Sequence, residues 1–123
     1  MRRGAPAGSG GRRADLHTHT LYSDGTLSPV QLIARARAYG LAAIAITDHD
    51  SVEGLAHAMP AAGGALELIP GVEISTSEDG MDLHILGLYV DPEHPELRER
   101  LSRFRDERLR RVEGILARLA ELG

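Results

Sequence analysis

Short apolar runs alternate with segments of helical periodicity along this chain. The clearest run, Leu41–Thr47 (LAAIAIT), is apolar up to its last position, which is typical of a strand buried on both faces of a parallel sheet. Leu66–Ile69 predicts a second strand, which Pro70-Gly71 breaks and Val72–Ile74 resumes. The other predicted strands are Ala14–His17 and Asp82–Val90.

Three segments carry helix signals. The first begins at Ser28-Pro29, because serine is a favoured N-cap and proline suits the first helical position, and it ends at Gly40. The Ala-rich segment Val52–Ala62 predicts a second helix. The tail Pro95–Leu122 predicts one long helix or two joined ones, with an arginine- and glutamate-rich side exposed to solvent. Its apolar stripe consists of Leu97, Leu101, Phe104, Val112, Ile115, Leu119 and Leu122.

The order β-α-β-α-β-β-α predicts an α/β fold with a mostly parallel sheet. The 123 residues contain no cysteine, so any metal ion must be held by histidines and carboxylates. All 14 basic residues are arginine, against 18 acidic ones, and four arginines fall in residues 1–13. We interpret residues 1–13 as a disordered basic leader and the acidic remainder as one domain unlike a nucleic-acid-binding face. Neither a signal peptide nor a membrane span is predicted, and we expect a cytoplasmic protein.

Ionisable side chains cluster where the predicted strands end, and sites in α/β folds gather at the carboxyl ends of parallel strands. His17 and His19 project to the same side of an extended chain and can share one cation. Asp15 is expected on that side too, and Asp24 lies in the turn that follows. Two neighbouring histidines alone often occur by chance on a surface, whereas acids on both flanks favour a metal site.

Thr47, Asp48, His49 and Asp50 end the most strand-like run of the chain. Unpaired polar groups buried there would each cost about 2–7 kcal/mol. The alternative is a solvated loop in which Asp50 or Ser51 caps the next helix. That alternative explains Asp50 well and His49 poorly.

Two further candidates lie inside apolar runs. Glu73 is flanked by Val72 and Ile74, and it either has a partner or faces water from an edge strand. His84 lies within the last predicted strand, where a hydrogen-bonded core histidine is the alternative to a ligand. His57 and His94 are interpreted as solvated surface residues.

Taken together, four of the six histidines and several acids are expected at one edge of the sheet. Imidazole and carboxylate donors suit zinc, manganese or iron better than calcium. A carboxylate such as Glu73 can bridge two metal ions about 3.5–4 Å apart, an arrangement used in phosphoryl transfer.

Four motifs together resemble the PHP (polymerase and histidinol phosphatase) domain family. ADLHTHTLYSDGT is similar to its first motif, AITDHD to its second, PGVEIS to its glutamate-bearing segment and DLHILGLYV to its next histidine-bearing strand. They occur in family order from Ala14 to Val90, and the arginine-rich tail also resembles the helix that follows in stand-alone members. The subgroup of greatest similarity is that of nucleoside 3′,5′-bisphosphate phosphatases and RNase AM.

The resemblance implies a distorted (β/α)7 TIM-like barrel, of which residues 14–123 would supply the N-terminal part, with three to four strands and their flanking helices. It implies two or three divalent metal ions (Mn, Zn or Fe) and a phosphoesterase reaction in which a metal-bridging hydroxide attacks phosphorus. Asp15, Asp48 and Asp50 would support the ligands rather than bind metal. The ligands carried over by motif are His17, His19 and Glu73 for one ion, Glu73 and His84 for a second, and Asp24 and His49 for a third.

The family's later ligands, a histidine and an Asp-x-His motif, have no counterpart in these 123 residues, so we expect an incomplete site. The leading hypothesis is a metal-dependent phosphoesterase acting on phosphorylated small molecules, such as nucleotides, or on short 5′-phosphorylated RNA. A non-catalytic metal-binding or structural PHP module and a histidinol-phosphate phosphatase are the alternatives. The oligomeric state stays open.

Overall fold

The computed structural model describes residues 11–123. The strands and helices follow the predicted α/β order. A single turn of 3₁₀ helix, Met59–Ala61, extends the second α-helix. In chain order the other elements are β1 (Ala14–Thr18), α1 (Pro29–Ala38), β2 (Ala43–Ile46), α2 (Leu55–Ala58), β3 (Glu67–Glu78), β4 (Met81–Leu88) and α3 (Pro95–Glu121).

The described residues form a four-stranded sheet in the order β1-β2-β3-β4. β1 and β2 are parallel, and so are β2 and β3, whereas β3 and β4 form an antiparallel hairpin. The carboxyl ends of β1 and β2 therefore lie at the same edge as the middle of β3. This edge carries the candidate site.

Packing on the sheet follows the predicted apolar positions. Ile44 and Ile46 of β2 are at most 1% exposed and belong to the same core cluster as Ile33 from α1 and Leu55 from α2. The capping box of α1 is present, with Gln31 N–H donating to the Ser28 hydroxyl at 3.2 Å and Ser28 N–H donating to the Gln31 side chain at 3.0 Å. Ala45, on the opposite face of β2, is also fully buried, as predicted for a strand inside a parallel sheet.

The predicted break at Pro70-Gly71 is wrong, because β3 continues through both residues. At this point β3 changes partners: Pro70 is the last residue aligned with β2, opposite Ile46, and Gly71 is the first aligned with β4, opposite Leu88. The missing proline N–H costs little where one ladder ends and another begins.

The second predicted helix is too long, since Val52 and the two residues after it precede α2. α2 has only one turn and no side-chain N-cap, so neither Asp50 nor Ser51 caps it. The alternative that Asp50 serves as a helix cap is therefore wrong.

The tail is one helix, α3, and not two. Its first half packs on the core through Leu97, Leu101 and Phe104. Its second half exposes the rest of the predicted stripe, including Ile115 and Leu119. The predicted disordered leader, residues 1–13, lies outside the described residues except for its last three, of which Arg13 accepts a backbone hydrogen bond from Ala42. None of the helices within residues 11–123 has the length and apolar character needed to cross a membrane.

Candidate metal centre

The backbone brings the predicted motifs together by continuing the parallel ladder beyond β2. Glu73 N–H donates to the Asp48 carbonyl at 3.1 Å, and Asp50 N–H donates to the Glu73 carbonyl at 2.9 Å. His49 and Glu73 are therefore aligned as a parallel bridge pair. On the other side of β2, Thr47 N–H donates to the Thr18 carbonyl at 2.8 Å, which places His17 and His19 beside the same edge.

Four imidazoles surround the carboxylate of Glu73. Its Oε2 atom lies 2.9 Å from His17 Nε2, 3.1 Å from His19 Nε2 and 3.6 Å from His49 Nδ1. Its Oε1 atom lies 3.4 Å from His84 Nδ1. Glu73 is buried in an internal strand, so the alternative of a glutamate facing water from an edge strand is wrong.

Asp24 approaches the cluster from the β1–α1 loop. Its two carboxylate oxygens lie 3.5 Å from His19 Nδ1 and 3.3 Å from His49 Nε2. Three sets of donors result in which every chosen atom lies within 4.8 Å of the others. They are His17, His19 and Glu73; His19, Asp24 and His49; and His49, Glu73 and His84.

These sets contain every ligand expected from the motifs. They add His49 to the expected pair of Glu73 and His84, and His19 to the expected pair of Asp24 and His49. His84 has a half-exposed side chain, so the alternative of a core histidine is wrong. The sets share Glu73, His19 and His49. Ions held by different sets would therefore be close neighbours.

The donor set fits divalent cations better than an internal hydrogen-bond network. His17 Nε2 and His19 Nε2 are 3.1 Å apart and both face Glu73 Oε2. The buried His19 Nδ1 has no hydrogen-bond partner among residues 11–123. Two donors on one tetrahedral ion, each about 2.0–2.2 Å from it, lie about 3.3–3.6 Å apart, close to the separations found here.

The electrostatics of Glu73 favour its ionised form. Burial raises the pKa of this carboxyl group, but the hydrogen bond with His17 and the charges of His49, His17 and His19 outweigh it, so the pKa is lowered overall. A carboxylate is the form that binds a cation.

Asp48 fixes the loop that carries His19 and Asp24. Its Oδ1 accepts hydrogen bonds from Thr20 N–H at 2.6 Å and from the Ser23 hydroxyl at 2.7 Å, and its Oδ2 accepts from the Thr20 hydroxyl at 2.7 Å. Asp48 is 1% exposed. Its oxygens are thus committed to the loop, and its supporting role at a metal site stays a prediction.

Asp50 connects the same edge to β3 and α3. It has a positive φ of 48°, a conformation that aspartate tolerates better than most residues. Its Oδ1 accepts from Ser75 N–H at 2.9 Å, and its Oδ2 forms an ion pair with Arg108. Its carbonyl accepts from Arg105 Nη1 at 2.8 Å. The supporting role predicted for Asp50 is therefore consistent with its contacts.

Asp15 was expected on the same side as His17 and His19, and within residues 11–123 its side chain hydrogen-bonds only with the neighbouring backbone. Its Oδ1 accepts the His17 backbone N–H at 3.2 Å, and the residue is exposed. This contact can steady the backbone next to His17.

A cavity of about 460 Å³ opens beside the cluster. Sequence reasoning missed several of its wall residues, and it interpreted the arginines of α3 as a solvated face. Arg105 and Arg108 are partly exposed, but both also contact Asp50, which the sequence did not predict. The two arginines are three residues apart and so share one face of α3, which was the only sequence signal that they could act together. The cavity is lined by Tyr22, Ser23, Asp24, His49, Ser75, His84, Arg105 and Arg108.

The sequence of residues 15–113 matches the model of the PHP domain. The chain belongs to the PHP domain family. This PHP chain is 44% identical over 108 residues to the 5′-3′ exoribonuclease Rnm of Escherichia coli, covering 85% of the chain and 37% of the relative. It is 42% identical over 110 residues to the 3′,5′-nucleoside bisphosphate phosphatase of Chromobacterium violaceum, covering 89% of the chain and 39% of the relative.

Solved structures agree with the PHP assignment. An amidohydrolase from Chromobacterium violaceum, with bound sulfate and no metal, superimposes with a TM-score of 0.79 at 41% identity, over 89% of this chain and 39% of that one. A proposed metal-dependent phosphoesterase from Bifidobacterium adolescentis also gives 0.79, at 34% identity, over 94% and 40% of the two chains. The PHP chain therefore spans about two fifths or less of the length of these proteins.

Proposed function

We propose that this PHP region holds two or three divalent metal ions and belongs to a metal-dependent phosphoesterase acting on nucleotides or short 5′-phosphorylated RNA. The observation that carries the proposal is the convergence of four imidazoles and the carboxylates of Glu73 and Asp24, from separate loops and strands, in one cluster. His17, His19, Asp24, His49, Glu73 and His84 are the proposed ligands.

Divalent cations bound there would supply Lewis-acid polarisation of a phosphate ester and a nucleophile derived from water at neutral pH. The chain's own residues contribute position and charge. Glu73 can bridge neighbouring ions because its two oxygens face different histidines. Asp48 and Asp50 keep the ligand-bearing loops in place.

Two arginines favour an anionic substrate. Arg105 and Arg108 line the cavity next to His49 and His84, and guanidinium groups bind phosphate oxygens well. The relatives are a 5′-3′ exoribonuclease and a nucleoside bisphosphate phosphatase, which supports nucleotides or RNA as substrates of this chain's own site.

The first experiment measures metal binding by the 123-residue chain. We expect purified chain to bind Mn²⁺ or Zn²⁺ in calorimetry and elemental analysis, and Glu73→Gln to weaken that binding at least about tenfold. Glu78→Gln is the matched control, because it makes the same change at the exposed end of the same strand. Equal metal binding by the two variants would reject Glu73 as a ligand.

The second experiment measures hydrolysis by the protein as its gene encodes it. With Mn²⁺ we expect release of phosphate or nucleotides from a nucleoside 3′,5′-bisphosphate or a 5′-phosphorylated RNA oligonucleotide, and loss of turnover in His17→Ala. Preference for histidinol phosphate would favour that alternative substrate. Metal binding without hydrolysis of the bisphosphate, the RNA or histidinol phosphate would favour a non-catalytic module.

A further inference from the structure

Tyr22 is an aromatic residue on the wall of the cavity that also contains Asp24 and His49. Aromatic residues make up only 3% of the chain. The residue is 40% exposed. A half-exposed aromatic side chain beside a candidate metal centre offers a surface for a flat ligand.

His57 supports the Tyr22 ring from α2. The two rings stack with centroids 5.4 Å apart and planes inclined by 22°. Gly54 leaves room for this arrangement, because a Cβ there would lie 3.2 Å from Tyr22 Cδ2. The ring therefore stacks on a residue of α2, the helix that follows the second motif.

The backbone of Tyr22 is also fixed. Its N–H donates to the Thr20 hydroxyl at 3.1 Å, and that hydroxyl donates to the buried Asp48 at 2.7 Å. The same aspartate accepts from Ser23. A ring with a fixed backbone loses little further freedom when a ligand stacks on it.

We propose that Tyr22, supported by His57, is the platform on which a nucleobase of the substrate stacks. This inference rests on the proposed function and specifies its ligand as a nucleoside phosphate, with the base on Tyr22 and the phosphate towards the histidine cluster and Arg108. A cavity of about 460 Å³ has the size of a small-ligand site. Every base presents a flat π-face, so the platform favours nucleotides over other phosphate esters without selecting one base.

The test compares adenosine 5′-monophosphate with ribose 5-phosphate, which share sugar and phosphate and differ in the base. Calorimetry on the Mn²⁺-loaded protein gives both dissociation constants. We expect Tyr22→Ala to weaken the binding of adenosine monophosphate about 5- to 150-fold, and that of ribose 5-phosphate less than about twofold. Tyr22→Phe keeps the ring and should keep both affinities.

Tyr39→Ala is the matched control, because Tyr39 lies at the end of α1 and does not line the cavity. If Tyr22→Ala does not fold, Tyr22→Leu preserves apolar bulk without an aromatic face and should show the same selective loss. His57→Ala should give a smaller selective loss, since it removes only the support.

Equal weakening of both ligands in the Tyr22 variants would overturn the platform, and so would equal affinity of the unchanged protein for the two ligands. Both measurements are independent of turnover. A protein that binds adenosine monophosphate selectively through Tyr22 but hydrolyses no phosphate ester would retain the platform and lose the proposed function. A protein that hydrolyses phosphate esters but binds the two ligands equally well would retain the proposed function and lose the platform.

Discussion

Asp48 and Asp15 are two carboxylates to which the motifs assign the same supporting role, yet their surroundings differ. Asp48 is buried and accepts three hydrogen bonds from Thr20 and Ser23. Asp15 is exposed and accepts one from a neighbouring backbone N–H. A buried carboxylate with several donors contributes far more than an exposed one, because its removal leaves those donors without partners.

We therefore expect Asp48→Ala to lower the free energy of unfolding by about 2–4 kcal/mol, and Asp15→Ala by less than about 0.5 kcal/mol. Urea denaturation followed by circular dichroism measures both. Asp48→Ala should also weaken metal binding, because Asp24 and His19 lie on the loop that Asp48 holds. Similar losses of stability in the two variants would contradict the role of Asp48 in holding the loop.

The single-residue contacts also show what the sequence could predict of the site. His17, His19, Glu73 and His84 were predictable because strand periodicity and motif order place them on one edge. The links from Arg105 and Arg108 to Asp50 were not, since they depend on how α3 crosses the sheet. The support of Tyr22 by His57 also joins segments whose relative position no local pattern defines.

Among the elements, β3 connects the fold to the site. It pairs with β2 up to Pro70 and with β4 from Gly71 onwards. The parallel ladder on the β2 side resumes beyond Ile46, and this resumed pairing places Glu73 opposite His49. The sequence predicted the strand but not its continuity, because Pro70-Gly71 ends most strands and only pairing with two neighbours sustains this one. The length of α2 was also overestimated: alanine favours helix locally, but Val52, Glu53 and Gly54 stay outside the helix, which begins at Leu55.

Gly71 should be required for that exchange. A Cβ there would lie 2.8 Å from Thr47 Cγ2 and 3.0 Å from the carbonyl oxygens of both Gly87 and Ile46. We expect Gly71→Ala to destabilise the chain by about 1–3 kcal/mol, because backbone on either side must move, and to weaken metal binding through Glu73. Thermal or urea unfolding and calorimetry give the two quantities.

Gly114→Ala is the matched substitution. Gly114 lies inside α3 with nothing within 4 Å of an added Cβ. Alanine there should stabilise the helix by about 0.5–1 kcal/mol and leave metal binding unchanged. A lower free energy of unfolding in Gly71→Ala and a higher one in Gly114→Ala would support the close approach at Gly71. An unchanged free energy of unfolding in Gly71→Ala would refute it.

At the scale of the whole molecule, the apolar surface is unevenly distributed. Core side chains gather between the parallel strands, α1, α2 and the first half of α3. β4 lies at the edge of the sheet and exposes residues such as Ile85, and the second half of α3 exposes Ile115 and Leu119. Exposed apolar side chains on a long helix promote association, and an exposed edge strand adds to it.

We therefore expect the 123-residue chain, studied by itself, to self-associate reversibly, with sedimentation velocity showing larger species as concentration rises. The double substitution Ile115→Glu with Leu119→Glu should shift the chain towards monomer. Arg118→Glu changes the net charge by the same two units within the same turn of α3 but removes no apolar side chain, so it separates burial from charge repulsion. If Arg118→Glu dissociates the chain as well as the double variant does, charge and not apolar contact controls the association; a wild-type chain that stays monomeric contradicts the prediction outright.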